Sequence, residues 1–313
     1  MSVRKTKVNP SALPVSMDHG DRACSGLTLS SAQSPIRGGV GRCRRVKIGI
    51  VGCGAIGSRL ARGIAESFKQ ECQLTALYDI DLKKAQDLAN ELSYPKAFKK
   101  SYPSLLKDCE FVIEAVNADD TYQIIKQALE LKKDVLAMSV GKFLGREDLF
   151  HLAKKNQCTL LIPSGAIAGI DTIKAAGLAN ISHITLTTRK PPFGFVKSSF
   201  VMEKKINLNG IAQETVIFEG DVDTAVKLFP QNINVAATIA LASKAKDKIA
   251  VRIMTSPDYK TNSHEIEVVG DFGRMLSRTD NVVCPDNPKT SYLAVLSAIQ
   301  TLKEFFEWVK IGT

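Results

Sequence analysis

A short glycine-rich turn between an aliphatic run and a helical pattern limits the fold of this chain more than any other feature. The turn consists of Gly52, Cys53, Gly54, Ala55, Ile56 and Gly57. Residues 47–51 before it predict a strand, and apolar residues at helical spacing over 58–68 predict a helix. In this arrangement Gly52 permits a tight turn, Gly54 lets the main chain approach a ligand, and Gly57 lets the helix close against the sheet. The order strand, turn, helix predicts the first unit of a parallel sheet.

An acidic residue follows this unit at the distance that a dinucleotide site requires. Asp79 ends a second aliphatic run, residues 73–78, and lies 22 positions after Gly57. Its carboxylate can accept hydrogen bonds from the adenosine ribose, while the phosphates lie at the helix N-terminus. The turn and Asp79 therefore predict binding of NAD. Since Lys83 and Lys84 lie close enough in sequence to neutralise a 2′-phosphate, NADP stays an alternative cofactor.

Strand and helix patterns continue to alternate beyond Asp79. Helices are predicted at 82–92, 121–131 and 146–155, and strands at 111–116, 135–138 and 159–162. Repeated βα units predict a doubly wound parallel sheet, in which ligands bind beyond the carboxyl ends of the strands. Those ends correspond to the loops 114–117, 139–142 and 163–169. The small residues of 164–169 fit either a close approach to a flat ring or an interdomain hinge.

The pattern changes after Asp171, where strands follow one another. Strands are predicted at 181–188, 215–218, 249–254 and 263–269, with helices at 224–228 and 234–244. Asn287 and Pro288 then resemble an N-cap and the first position of a C-terminal helix. The predicted fold class is α/β, a Rossmann-type doubly wound parallel sheet with a second α+β domain. The predicted domains are 47–165, to which the helix within 287–313 packs back, and 166–286.

The N-terminal segment, residues 1–46, differs in composition from the rest of the chain. It holds eight Lys and Arg against two Asp, a net charge of +6, whereas the other 267 residues carry +4. With no aromatic residue and no periodicity it is expected to be disordered. The pattern fits an organelle transit peptide, an N-terminal extension without a specific function, or translation that starts at Met17. Without interleaved aromatic residues, a nucleic-acid-binding arm ranks below them.

Other classes of protein are less compatible with the composition. No apolar stretch approaches the roughly 20 residues of a membrane-spanning helix, so no membrane partner is expected. The seven cysteines form no Cys-x-x-Cys pair, which predicts a reducing, cytoplasmic location and no metal site.

Five separated motifs in the second half of the chain resemble the L-aspartate dehydrogenase family. They are Ser-Gly-Ala-Ile-Ala-Gly-Ile-Asp at 164–171, Thr-Arg-Lys-Pro-Pro at 188–192, Phe-Pro-Gln-Asn-Ile-Asn-Val-Ala-Ala at 229–237, Ser-His-Glu-Ile at 263–266 and Asp-Asn-Pro-Lys-Thr-Ser at 286–291. The resemblance runs from Lys47 to the C-terminus. It implies a Rossmann domain paired with an α+β domain that also forms a homodimer.

The resemblance also implies an activity and three site residues. The activity is NAD(P)-dependent oxidation of L-aspartate to iminoaspartate, a precursor for NAD biosynthesis that otherwise hydrolyses to oxaloacetate and ammonia. By motif position, the family's cofactor-contacting Ala and Asn fall on Ala166 and Asn234. The family's catalytic His falls on His264.

The residues themselves leave the role of His264 open. Of the four histidines, His19 lies in the N-terminal segment 1–46, His151 lies on a predicted outer helix and His183 lies at the start of a predicted strand. On a strand, His264 shares its face with apolar residues, a pattern more typical of a packed core histidine than of a catalyst. Proton transfer from the substrate amine nevertheless suits a neutral imidazole, and the family motif favours that role.

The two carboxylates of aspartate require cations or backbone N–H groups in the pocket. Arg189 and Lys190 are the candidate substrate-binding residues, whereas Lys197 is better interpreted as a solvated surface charge. Asn234 begins a helical segment, where it fits either an N-cap or a hydrogen bond to the nicotinamide half of the cofactor.

Two alternative functions remain open at the sequence level. One is another Rossmann oxidoreductase, such as a homoserine dehydrogenase or a sugar oxidoreductase, although the Glu-Lys-Pro signature of the sugar enzymes is absent after Leu136. The other is a non-catalytic dinucleotide-sensing protein, which would retain the turn at 52–57 without needing His264.

Overall fold

The structure is a computed structural model that describes residues 45–116, 120–196, 198–229, 233–284 and 287–312, with the backbone alone at 233 and 287–290. All of these residues belong to one compact unit. The leader prediction for 1–46 lies outside the described residues except at its last two positions, and Asn117 and Lys197 also lie outside them. Across the described ranges, no helix combines the length and the apolar character needed to cross a membrane.

The first half of the described chain forms a five-stranded parallel sheet. Its strands are β1 Val46–Val51, β2 Cys72–Tyr78, β3 Phe111–Glu114, β4 Asp134–Ala137 and β5 Leu160–Leu161. The helices between them are α1 Ala55–Ser67, α2 Leu82–Glu91, α3 Tyr102–Asp108, α4 Thr121–Glu130 and α5 Glu147–Asn156. The strand order is β2-β1-β3-β4-β5 and every pair is parallel. The chain reverses direction of winding between β1 and β3, where α/β sheets bind ligands. The predicted parallel, doubly wound architecture is confirmed.

The second half forms a five-stranded mixed sheet with a small hairpin. Its strands are β6 Ile181–Lys190, β7 Thr215–Asp221, β8 Ile249–Thr255, β9 Asn262–Gly270 and β10 Gly273–Asn281, and the hairpin pairs β11 Val283–Cys284 with β12 Asn287–Ser291. The helices are α6 Ile170–Ala176, α7 Ser199–Glu203, α8 Val222–Leu228, α9 Ile233–Ser243 and α10 Tyr292–Phe306. The order is β10-β9-β6-β8-β7, in which only β6 and β8 run parallel. The mixed α+β character agrees with the prediction.

Three apolar clusters hold these layers together. Residues of α1, α2 and α10 pack on one face of the first sheet, and residues of α3, α4 and α5 pack on the other. The ring of Phe305 in α10 meets Phe111 in β3 edge-on, with centroids 5.1 Å apart. The third cluster lies between the second sheet and α6, α8 and α9. Leu241 of α9 also packs against the cluster that α3, α4 and α5 form on the first sheet, so α9 contacts both sheets' apolar clusters.

The C-terminal helix begins later than the Asn287-Pro288 pattern predicts. Residues 287–291 form β12, which pairs antiparallel with β11, and α10 starts at Tyr292 with Ser291 at its N-cap position. The residue before a proline favours extended backbone, which suits a strand as well as a helix boundary. Pairing with β11 decides between them because it supplies partners for the extended backbone.

Candidate functional site

The glycine turn has the geometry that its spacing predicts. Gly52 has a φ of +94°, and a Cβ there would lie 2.6 Å from the carbonyl oxygen of Ala115. A Cβ on Gly57 would lie 1.8 Å from the oxygen of Gly52, so the helix touches the turn itself. At Gly54, the N-cap of α1, a Cβ would meet nothing within 4 Å. The turn therefore leaves open space at a helix N-terminus, which fits a diphosphate group.

Asp79 stands against this turn. Its Oδ2 accepts a hydrogen bond of 2.7 Å from the Cys53 N–H, and its Oδ1 accepts one of 2.9 Å from the Asp81 N–H. The carboxylate is half-buried at the carboxyl end of β2, and Ala55 and Ile56 begin α1 beside the turn. Both oxygens keep room for further donors, since a carboxylate has about four acceptor positions. The arrangement fits recognition of ribose hydroxyls.

The Cys53 thiol within the turn is unreactive. Burial, followed by the negative charge of Asp79, raises its pKa to about 12. The side chain therefore stays protonated and contributes packing rather than a thiolate.

A buried carboxylate organises the loops after β3 and β4. Glu114 is fully buried and accepts hydrogen bonds from the N–H groups of Val116, Met138 and Ser139 at 3.0–3.1 Å, and from the Ser139 hydroxyl at 2.8 Å. Burial raises its pKa to about 7, although all four donors act in the opposite direction. Glu114 thus holds the two loops together at the carboxyl ends of β3 and β4, the edge at which α/β sheets generally bind ligands.

Asn234 connects this edge to the second sheet. Its Oδ1 accepts a 3.0 Å hydrogen bond from the Gly141 N–H, and its Nδ2 donates to the Met138 carbonyl at 3.2 Å. The amide therefore holds the backbone of the β4 loop from the side of α9. The N-cap predicted for Asn234 is wrong, because α9 begins at Ile233 and includes Asn234. The cofactor contact stays a prediction, and the sequence gives no indication of this bridge.

His264 lies on the buried face of the second sheet, with 7% of its surface exposed. Ile266 and Val268 share that face, as strand alternation predicts. Thr188 stands directly opposite His264 on β6, and its Oγ1 lies 3.0 Å from His264 Nδ1. Burial, followed by the positive charge of Lys190, lowers the pKa of the imidazole to about 3. The ring is therefore neutral at pH 7.

Lys190 is the cation that the structure brings to His264. It lies two residues beyond Thr188 on β6, so both side chains leave the same face of the strand. Burial lowers the pKa of its amine to about 8. A partly desolvated ammonium group beside a neutral imidazole suits recognition of a carboxylate.

Arg189 lies on the opposite face of β6. Its guanidinium nitrogens lie 3.2 Å and 3.4 Å from the carboxylate of Glu265, and its Nε lies 3.4 Å from Glu214. Adjacent residues of a strand alternate between faces, which separates Arg189 from His264. Of the two predicted substrate-binding cations, the structure thus brings one to the imidazole.

The small-residue loop 164–169 runs beside the same buried face. Gly165 has a φ of +72°, and a Cβ there would meet nothing within 4 Å. The Ala166 carbonyl accepts a 2.8 Å hydrogen bond from Thr279 Oγ1, and Thr279 is the neighbour of His264 on the far side of β9. Ala166 and His264 are therefore brought together through one residue of β10, for which the sequence gave no indication.

Comparison with known proteins places this geometry in a family. Residues 171–305 match the family model described as "Aspartate dehydrogenase, C-terminal", and residues 52–163 match "Homoserine dehydrogenase, NAD binding domain". The L-aspartate dehydrogenase of Methanosarcina mazei is 44% identical over 271 residues, covering 86% of this chain and 100% of that protein. This chain belongs to the L-aspartate dehydrogenase family. The family resemblance inferred from the motifs is confirmed.

Two further comparisons agree with the family assignment. The L-aspartate dehydrogenase of Methanococcoides burtonii is 40% identical over 86% of this chain and 100% of that protein. The crystal structure of aspartate dehydrogenase from Thermotoga maritima is 24% identical and superposes with a TM-score of 0.63, covering 86% of this chain and 100% of that chain. At this identity the superposition shows the fold, a Rossmann-type NAD-binding sheet with a second sheet. Together with the matched NAD-binding model, these relatives support use of NAD(P) and an oxidoreductase that acts on a CH–NH₂ group.

Proposed function

We propose that this member of the L-aspartate dehydrogenase family oxidises L-aspartate to iminoaspartate with NAD or NADP. The observation that carries the proposal is the position of His264. Its imidazole lies beside Lys190 on the buried face of the second sheet. This face borders the loop 164–169, called the Ala166 loop below. The glycine turn and Asp79 provide the features expected of a dinucleotide site, and Lys190 provides a positive charge for a dicarboxylic substrate.

His264 is proposed to accept the proton that the substrate amine must lose. Hydride can leave the α-carbon only when the amino group is neutral, so the ammonium proton needs an acceptor. A bound nicotinamide cofactor accepts the hydride itself. For Nε2 of His264 to be free to take the proton, Nδ1 must carry hydrogen and donate to Thr188 Oγ1, 3.0 Å away. Thr188 would then fix the tautomer that the reaction needs.

The substrate itself is proposed to make His264 a competent base. Without substrate, burial and the charge of Lys190 lower the pKa of the imidazole to about 3. Two carboxylates placed beside Lys190 offset that positive charge and favour the protonated imidazole, which raises its pKa. An amino acid with a neutral side chain supplies one negative charge fewer. This difference predicts preference for aspartate over asparagine.

The later steps follow from the chemistry of the product. Water adds to iminoaspartate unless another enzyme captures it, and ammonia then leaves to give oxaloacetate. Capture of the imine would supply NAD biosynthesis, as the family resemblance implies. A homodimer and a cytoplasmic location also belong to the proposal, the latter supported by five free cysteines among the described residues.

A substrate screen tests this function. The purified chain is mixed with NAD or NADP and with L-aspartate, L-asparagine, L-homoserine or myo-inositol, and reduced cofactor is measured by absorbance. We expect reduction with L-aspartate. Turnover of homoserine or inositol instead would assign another oxidoreductase, and NADH binding without turnover of any substrate would assign a sensing protein.

A further inference from the structure

One face of the edge strand β10 contacts the backbone of the Ala166 loop. Ser277, Thr279 and Asn281 alternate along this strand and share that face. Ser277 Oγ donates to the Ala168 carbonyl at 3.2 Å. Thr279 Oγ1 and Asn281 Nδ2 both donate to the Ala166 carbonyl, at 2.8 Å and 3.0 Å. The Ala166 oxygen therefore has two side-chain donors from one strand.

Asn281 is the best buried of these three donors, with 4% of its surface exposed. Its Nδ2 also lies 3.3 Å from Thr279 Oγ1, and its Oδ1 accepts a 2.9 Å hydrogen bond from Ser291 Oγ. Rotating the amide by 180° would place Oδ1 against the Ala166 carbonyl, so these contacts fix its orientation. Each polar atom of the Asn281 amide has a partner.

These contacts attach the loop to both sheets. Ser291 occupies the N-cap position of α10, which packs on the first sheet, and Ser297 of the same helix accepts a 3.1 Å hydrogen bond from the Gly165 N–H. Asn281 belongs to the second sheet and stands two residues from Thr279, the cross-strand neighbour of His264. Asn281 therefore lies where the α10 N-terminus, the loop and the strand next to the imidazole meet.

We propose that Asn281 is a positioning residue that fixes the Ala166 peptide where the nicotinamide half of the dinucleotide meets His264. The inference rests on the proposed function, because that function makes Ala166 a cofactor contact. Asn281 acts through Ala166 and through no contact of its own with the substrate. Its loss should therefore affect binding of the nicotinamide half and spare the diphosphate and adenosine, which the glycine turn and Asp79 hold.

Two nucleotide ligands separate this role from a general structural one. Dissociation constants for NADH and for ADP-ribose, which lacks the nicotinamide ring, are measured by calorimetry on wild type and on Asn281→Ala. We expect the Kd of NADH to rise about tenfold, the effect of losing one buried hydrogen bond. The Kd of ADP-ribose should change less than twofold. Asp280→Ala is the matched control, since Asp280 is the exposed neighbour on the other face of β10, and it should bind both ligands as wild type does.

A second variant tests the proposal even if Asn281→Ala does not fold. Thr279→Val keeps the shape of the side chain and removes its donor to the Ala166 carbonyl, together with the 3.3 Å contact to Asn281 Nδ2, so it should show the same selective loss of NADH affinity. An equal loss for both ligands, or unchanged affinity for NADH in both variants, overturns the proposal. Because these measurements need no turnover, a wild-type protein that binds NADH but leaves L-aspartate unoxidised refutes the proposed function separately.

Discussion

Thr188 and His264 face each other across β6 and β9, with Thr188 Oγ1 lying 3.0 Å from His264 Nδ1. The contact gives the imidazole a hydrogen-bonding partner on the buried face of the second sheet. It engages Nδ1, so Nε2 is the ring nitrogen that the proposed proton transfer would use.

The first prediction concerns the imidazole. His264→Ala should lower kcat for L-aspartate oxidation by about 100-fold or more, because the amine then lacks its proton acceptor. NADH affinity should stay near that of wild type. His151→Ala, at an exposed position of α5, serves as the control and should keep full turnover. A fully active His264→Ala would exclude the imidazole as the base.

The second prediction concerns the tautomer. Thr188→Val keeps the shape of the side chain but removes the acceptor for an Nδ1 hydrogen, so kcat should fall about tenfold while KM for L-aspartate changes little. Thr188→Ser restores the hydroxyl and should restore kcat. If the serine variant is as slow as the valine variant, packing rather than hydrogen bonding explains the loss.

The third prediction concerns cofactor choice. Asp79→Ala removes a carboxylate that would repel a 2′-phosphate, so KM for NAD should rise and KM for NADP should fall. Steady-state kinetics with both cofactors measure the change, and Asp223→Ala, an exposed acid of α8 paired with Lys246, is the control. An unchanged ratio of kcat/KM for the two cofactors would contradict the placement of the ribose at Asp79.

The fourth prediction is a pH dependence. Burial lowers the pKa of Lys190 to about 8, so in the free enzyme its positive charge is present below that pH and is lost as the pH rises through it. We expect KM for L-aspartate to rise above about pH 8 in wild type. Lys190→Arg keeps its charge over this range and should remove that rise. The same rise in the arginine variant would assign it to another group.

The geometry of the glycine turn and of Asp79 could be predicted from the sequence because their spacing reflects direct geometric needs. Gly57 must be glycine since the helix touches the Gly52 oxygen, and Asp79 must follow β2 closely to reach the turn. The face of His264 was also predictable, since apolar and acidic residues alternate along its strand.

The arrangement of the proposed substrate-binding residues could not be predicted from the sequence. Arg189 and Lys190 are adjacent cations, and only the register of β6 against β9 shows which of them shares the face of His264. Strand β10 was not predicted because it is an edge strand, and its sequence lacks the apolar face that indicates a strand. Arg274, Leu276 and Arg278 are exposed along it. Without that strand, nothing in the sequence indicated that Asn281 contacts Ala166.

A crystal structure with NADH and a non-reactive dicarboxylate such as succinate would show whether the cofactor and the substrate meet at His264. We expect the diphosphate at the N-terminus of α1 beside Gly54 and the nicotinamide ring beside Ala166, with one carboxylate at Lys190 and His264 Nε2 facing the ligand. A diphosphate bound away from Gly54, or an imidazole separated from the dicarboxylate by the apolar core, would contradict it.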